Sequence, residues 1–281
     1  MKKDTLFIRF LYHTVPGRCI LKILIKPQIS RKIGIILNSR FSKGLVPLFV
    51  RKNRINLKEY EEDKYTSFND FFTRKRRAAR IDITPEHLIS PCDGYLTVYP
   101  IDKSSTYRVK HIEYQLEQLL ENRELAKHFS GGWCLIFRLT PKNYHRYCYV
   151  CEGIRRECRK VEGKLHCVRP AAYTSIPVFI ENCREYVKIE SDFLGHIIQM
   201  EIGALLVGRI QNHPCSPKVL QGQEKGYFEF GGSTIIILLE KNRVKIKNEI
   251  QERSHRDEET EVCLGEQIGS IQKAMGGTVY E

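Results

Sequence analysis

Tyr227-Phe228-Glu229-Phe230-Gly231-Gly232-Ser233-Thr234 runs directly into Ile235-Ile236-Ile237-Leu238-Leu239. A continuous apolar run of this length, rich in β-branched residues, predicts a strand buried on both faces. Two glycines ahead of a serine supply backbone that tolerates strain and close approach by other groups. One reading is an ordinary Gly-Gly hairpin turn. The other is a peptide bond that the chain cuts itself: the Ser233 hydroxyl attacks the preceding carbonyl and converts the Gly232–Ser233 amide to an ester. Elimination then leaves dehydroalanine, which hydrolyses to a pyruvoyl group. That chemistry requires a peptide held out of its relaxed planar geometry.

With 281 residues there is enough chain to bury a substantial core. The formal charge of +13 is not evenly spread. Residues 1–80 hold 20 Lys and Arg against 6 Asp and Glu, and the rest is nearly neutral. The same N-terminal region carries the apolar clusters Leu6-Phe7-Ile8, Phe10-Leu11, Ile20-Leu21 and Ile23-Leu24-Ile25, interrupted by Arg9, Lys22 and Lys26. Basic and apolar residues at near-helical spacing predict amphipathic helices lying in an anionic membrane interface, with a buried core helix pair as the alternative. The interruptions argue against a signal peptide, and no stretch has the length of a spanning helix. Nucleic-acid binding is not expected, because no helix-turn-helix or RNA-binding signature accompanies the charge. The cluster Arg74-Lys75-Arg76-Arg77 reads as a solvated face or a phosphate contact.

Ten cysteines are present. Cys148-x-x-Cys151 has metal-ligand spacing, but neither a second Cys-x-x-Cys nor paired histidines complete a tetrahedral site, so no metal is expected. The thiols read as mostly buried and free, in a reducing compartment.

Along the chain, residues 1–60 read as short helices broken near Pro16, Pro27 and Pro47. Ser67 is placed to cap a helix to Phe72. From Leu88 onward short β-rich runs dominate, including Tyr95–Tyr99, Trp133–Leu139 and Ile197–Ile202. Ile112–His128 shows a helical stripe, Gln251–Glu261 reads as a charged surface loop, and Val262–Gly269 as strand and turn. The expected fold is α+β: an antiparallel-strand-rich catalytic body over residues 61–281, with basic amphipathic helices over 1–60.

Asp93 stands in the turn Ser90-Pro91-Cys92-Asp93-Gly94, where it either makes an Asx turn or orients a histidine. His145 follows Leu139-Thr140-Pro141-Lys142-Asn143-Tyr144 and has an unperturbed pKa suited to proton transfer. Together with Lys225–Thr234, these segments resemble the three signature blocks of the phosphatidylserine decarboxylases, self-processing pyruvoyl enzymes. Gly203–Ile210 is similar to that family's Val-Gly-Ala strand, and Ser67–Arg74 to its Phe-Phe-x-Arg segment, so the resemblance spans about residues 45–270.

The resemblance implies cleavage between Gly232 and Ser233 into a β chain (1–232) and an α chain (233–281) that stay associated. It implies a covalent pyruvoyl cofactor made from Ser233, whose ketone condenses with the substrate amine. Asp93, His145 and Ser233 become the self-cleavage triad, with a histidine also protonating the product carbon. The substrate implied is phosphatidylserine, converted to phosphatidylethanolamine and CO2 by an enzyme peripheral to the cytoplasmic membrane; a homo-oligomer is compatible with this. The family's Tyr-His-Arg-x-His is here Tyr144-His145-Arg146-Tyr147-Cys148. Either His145 serves both proton transfers, or Cys148 is a proton carrier, or Cys148 is a small apolar filler. The alternatives are a non-catalytic lipid-binding relative that does not mature and a pyruvoyl decarboxylase of a soluble amino acid.

Overall fold

The computed structural model describes residues 6–62, 64–168, 172, 176–205, 209–214, 216–230 and 233–272. Ser233–Leu239 forms a strand near the middle of an eight-stranded antiparallel sheet. The order is Lys218–Val219, Gly153–Val161, Arg184–Ser191, Gly195–Ile202, Ser233–Leu239, Trp133–Leu139, Gly94–Pro100 and Thr260–Val262. Successive side chains alternate between the two faces of a strand. Ile236 and Leu238 therefore enter one hydrophobic cluster, with Leu11, Leu21, Leu119, Phe129 and Phe179. Ile235, Ile237 and Leu239 enter another, with Tyr147, Phe228, Val244 and Ile268. Burial on both faces explains the unbroken apolar run.

The two strands that flank the glycine pair are not paired with each other. Glu224–Phe228 pairs with Ile210–Asn212 and Arg146–Cys148 in a separate three-stranded sheet, whereas Ser233–Leu239 pairs with Trp133–Leu139 and Gly195–Ile202. The chain passes from one sheet to another across Gly231 and Gly232, which themselves lie outside the described residues.

The N-terminal region is helical as expected, with helices Leu6–His13, Val15–Leu24, Pro27–Asn38 and Val46–Asn53. Pro16, Pro27 and Pro47 each stand in a first helical turn, where a missing N–H costs little. Thr14 caps the second helix by accepting from the Gly17 amide at 3.0 Å. Leu11, Tyr12, Leu21 and Ile25 face the core. Eleven of the fourteen exposed large hydrophobics among the described residues lie between Leu6 and Leu48, and Phe41 is 97% exposed. No single described helix is long and apolar enough to cross a membrane; Pro27–Asn38 and Arg40–Asn53 reach that length and composition only as a pair bent by 80°.

Two local expectations need correction. Ile112–His128 is not one helix: Ile112–Gln115 is a strand paired with Thr106–Val109, followed by helices Leu116–Leu120 and Arg123–Lys127. Glu121 takes a left-handed conformation at φ 48°, and the Asn122 side chain accepts from the Leu125 amide to start the second helix. Gln251–Glu261 is not a loop throughout. Its first half continues the helix Asn248–His255, which buries Ile250 and Ser254, and Ser254 Oγ accepts from the Val98 amide at 3.0 Å.

Candidate active site

Three adjacent strands bring the three sequence blocks to one end of the large sheet. Tyr95 lies opposite Arg138, and Arg138 opposite Thr234. Ser233 is opposite Leu139. The turn that ends in Asp93, the turn that begins at Thr140, and the first residue after the glycine pair thus share one sheet end. The Thr140 turn is closed by Asn143 Oδ1, which accepts from the Thr140 amide (2.8 Å) and hydroxyl (2.6 Å). It hands the chain to His145, whose carbonyl accepts from the Phe228 amide at 2.9 Å. The first block is tied to the second where the Cys148 amide donates to the Pro91 carbonyl at 2.9 Å.

Ser233 is fully buried, and its hydroxyl has no hydrogen-bond partner among the described residues; the same holds for Thr234 Oγ1. His145 is equally buried, and neither ring nitrogen has a hydrogen-bond partner among the described residues. Unsatisfied buried polar atoms are rare in folded proteins and mark places where another group is to be received. Helix Phe68–Phe72, capped by Ser67 Oγ accepting from the Asp70 amide (3.1 Å), builds the wall beside the imidazole. Phe72 lies against His145 at 4.0 Å between ring centroids with the rings tilted by 35°, and Phe230 meets Phe72 edge-on at 5.0 Å. Burial, reinforced by the Arg74 charge, lowers the His145 pKa to about 3. The imidazole is therefore neutral at pH 7.

Asp93 is engaged differently from a triad carboxylate. It forms a bidentate pair with Arg76 (2.6 and 3.3 Å) and accepts from the Leu264 amide at 2.9 Å. Arg76 in turn lies over the Tyr144 ring at 4.8 Å and donates its amide to Tyr144 Oη at 3.3 Å. From Asp93 the described contacts lead to Arg76 and on to Tyr144, the residue before His145. The basic cluster is a solvated face only in part: Arg74 is buried and Arg76 half-buried, whereas Lys75 and Arg77 are exposed, with Arg77 Nε donating to the Tyr60 carbonyl at 2.6 Å.

Cys148 packs among Tyr60, Ile89, Tyr144 and Leu264. Burial pushes its thiol up to about 12. The surroundings favour the neutral thiol over a thiolate.

One constellation escaped the sequence reading. Lys225 forms a buried ion pair with Glu201 and donates to Asn212 Oδ1 at 3.0 Å, and Tyr147 Oη donates to the same oxygen at 3.1 Å. Desolvation raises the Glu201 pKa, with Lys225 opposing it. The available signal was Gln199 and Glu201, two polar residues at alternate positions of the otherwise apolar run Ile197–Ile202.

A family model described as phosphatidylserine decarboxylase matches residues 68–270, a span that holds all three blocks and the buried serine. The chain belongs to the phosphatidylserine decarboxylase family. It is 41% identical to phosphatidylserine decarboxylase proenzyme 2 of Clostridium acetobutylicum, across 93% of this chain and 91% of that one. It is 40% identical to a phosphatidylserine decarboxylase proenzyme of Clostridium botulinum, and 39% to that of Clostridium novyi, each across 94% of this chain and 92% of the relative. The family's enzymes are pyruvoyl-dependent carboxy-lyases made as proenzymes. Ser233 fits as the source of that group: it begins a buried strand, and its hydroxyl is uncommitted.

Proposed function

We propose that the chain cuts itself between Gly232 and Ser233 and then decarboxylates phosphatidylserine to phosphatidylethanolamine and CO2 at a membrane surface. The buried, unbonded Ser233 hydroxyl, at the sheet end where the three blocks converge, carries this reading. His145 accepts the Ser233 Oγ proton as that oxygen bonds to the Gly232 carbonyl carbon, and the peptide C–N bond breaks to leave an ester and a free amine. Loss of the Ser233 Cα proton then breaks the Cβ–Oγ bond and frees Gly232 as a carboxylate. The dehydroalanine left behind takes up water and loses ammonia. The resulting pyruvoyl group supplies the electron sink that no unmodified side chain provides. His145, neutral at rest, carries the proton for the carbon that loses CO2. Phe68, Phe72 and Phe230 exclude water from it. Asp93 holds Arg76, and through it Tyr144, and so fixes the turn that leads into His145.

Cys148 acts as apolar filler, so both proton transfers fall to His145. The α chain remains associated after cleavage, because its first strand is hydrogen-bonded on both sides to strands of the β chain. The membrane face is formed by Ile35, Ile36, Phe41 and Leu48, amid Arg31, Lys32, Arg40, Lys43, Arg51 and Lys52. This makes the protein peripheral to the cytoplasmic membrane. The test is CO2 release and phosphatidylethanolamine formation by the purified protein on vesicles containing phosphatidylserine. Vesicle binding by an uncut chain with no CO2 release would support a non-catalytic relative instead.

A further inference from the structure

Arg74 carries a charge into the interior that no carboxylate among the described residues neutralises. The residue is 2% exposed. Its guanidinium lies over the rings of Tyr60 (4.4 Å) and Phe71 (4.8 Å). One terminal nitrogen donates to Tyr60 Oη at 3.3 Å and the other to the Phe71 carbonyl at 3.4 Å, while Nε has no partner. A guanidinium offers five N–H donors, so most are unused. Aromatic faces offset part of the cost of burying a cation, but an unpaired buried charge is stable only where an anion completes it.

Its surroundings identify the anion. The Thr73 carbonyl accepts from Arg146 Nε at 2.8 Å, and the Arg76 amide donates to Tyr144 Oη. Residues 73–76 are thus laid along 144–146, and the Arg74 charge acts on His145. On its other side Arg74 follows helix Phe68–Phe72, which shares a hydrophobic cluster with Leu37 and Val46 of the helices that expose Ile35, Ile36 and Leu48. Arg74 therefore stands between the lipid-facing helices and the reacting residues. In phosphatidylserine the phosphodiester stands between the acyl chains and the amino acid.

We propose that Arg74 binds the phosphodiester of the substrate, an inference that rests on the decarboxylase reading. The substrate carboxylate is the poorer partner: it must leave as neutral CO2, and a cation bound to it would stabilise the ground state over the transition state.

The test uses mature enzyme, checked by gel for the released short chain, with phosphatidylserine in mixed micelles. Arg74→Lys and Arg74→Gln should raise KM about thirtyfold or more with little change in kcat, and weaken inhibition by phosphatidylethanolamine by a similar factor. That product keeps the phosphodiester and lacks the carboxylate. A raised KM with unchanged product inhibition would assign Arg74 to the carboxylate and overturn the proposal, as would failure of both variants to release the short chain while the unaltered enzyme does. A methyl phosphotriester analogue, used with the unaltered enzyme, should show the same loss without any substitution, and equal KM values for diester and triester would overturn the proposal. Absence of CO2 release from the unaltered enzyme would instead defeat the decarboxylase reading.

Discussion

Acidification should unfold the proenzyme partly through His145, and a His145→Gln variant isolates that contribution. The imidazole is fully buried, and its pKa falls from 6.5 to about 3. Between those two values the unfolded chain holds a proton that the folded chain refuses. The unfolded state binds more protons there, so stability rises with pH and is lost as pH falls from 6.5 toward 3. Each pH unit in that window costs about 1.4 kcal/mol from this one residue, and the whole window costs on the order of 5 kcal/mol. The glutamine side chain does not titrate, so the stability difference between the two proteins should shrink or change sign as pH falls from 7 to 4. Urea denaturation at several pH values, with both proteins carrying Ser233→Ala to keep a single chain, measures it. The constant cost of placing an amide at this site cancels from the slope. Parallel stability curves would refute the assignment of a depressed pKa to His145. The same depression predicts that cleavage of the proenzyme shows no inflection near pH 6.5.

Further predictions concern other sites. Cys148→Ala should leave both cleavage and CO2 release near normal at pH 7, because burial keeps the thiol protonated; loss of either activity on gel or by CO2 assay would make the thiol a proton carrier. Lys225→Met should destabilise the protein by about 3–5 kcal/mol by leaving Glu201 buried and unpaired. Without the lysine, Glu201 holds its proton to higher pH while the unfolded chain releases it near the ordinary carboxylate value. The loss, read by denaturation, should therefore grow from pH 5 to pH 8. Phe41→Glu with Leu48→Glu should weaken co-sedimentation with anionic vesicles while leaving the melting temperature nearly unchanged, since both side chains are exposed.

The central strand was legible because Ile235–Leu239 could be buried on both faces only inside a two-sided sheet, and the helix starts because Pro16, Pro27 and Pro47 fit only first turns or breaks. Local rules failed where one residue changed the chain's course. The apolar stripe of Ile112–His128 fits a helix, but Glu121 and Asn122 stop and restart it, and Tyr114 is drawn into a strand beside Tyr107. The charges of Gln251–Glu261 concealed a helix that begins before that segment and is anchored by Ile250 and Ser254, whose contacts come from distant strands. At the site, Asp93, His145 and Ser233 could be singled out by type and spacing. That Asp93 is held by Arg76, that Arg74 is buried, and that Glu201 meets Lys225 depend on contacts between segments remote in sequence. Charge counting reads Arg74 and Arg76 as solvated along with their exposed neighbours Lys75 and Arg77, because it does not see the Tyr60, Phe71 and Tyr144 rings that the first two lie over.

Self-cleavage at Ser233 is tested most directly by the intact mass of the purified protein under denaturing conditions, alongside Ser233→Ala. Two chains are expected from the unaltered protein. The shorter should span residues 233–281 and be lighter, by one ammonia, than the same segment beginning with serine. Ser233→Ala should give one uncut chain. A single uncut chain from the unaltered protein, a cut at another bond, or a short chain that begins with an intact serine would contradict the account.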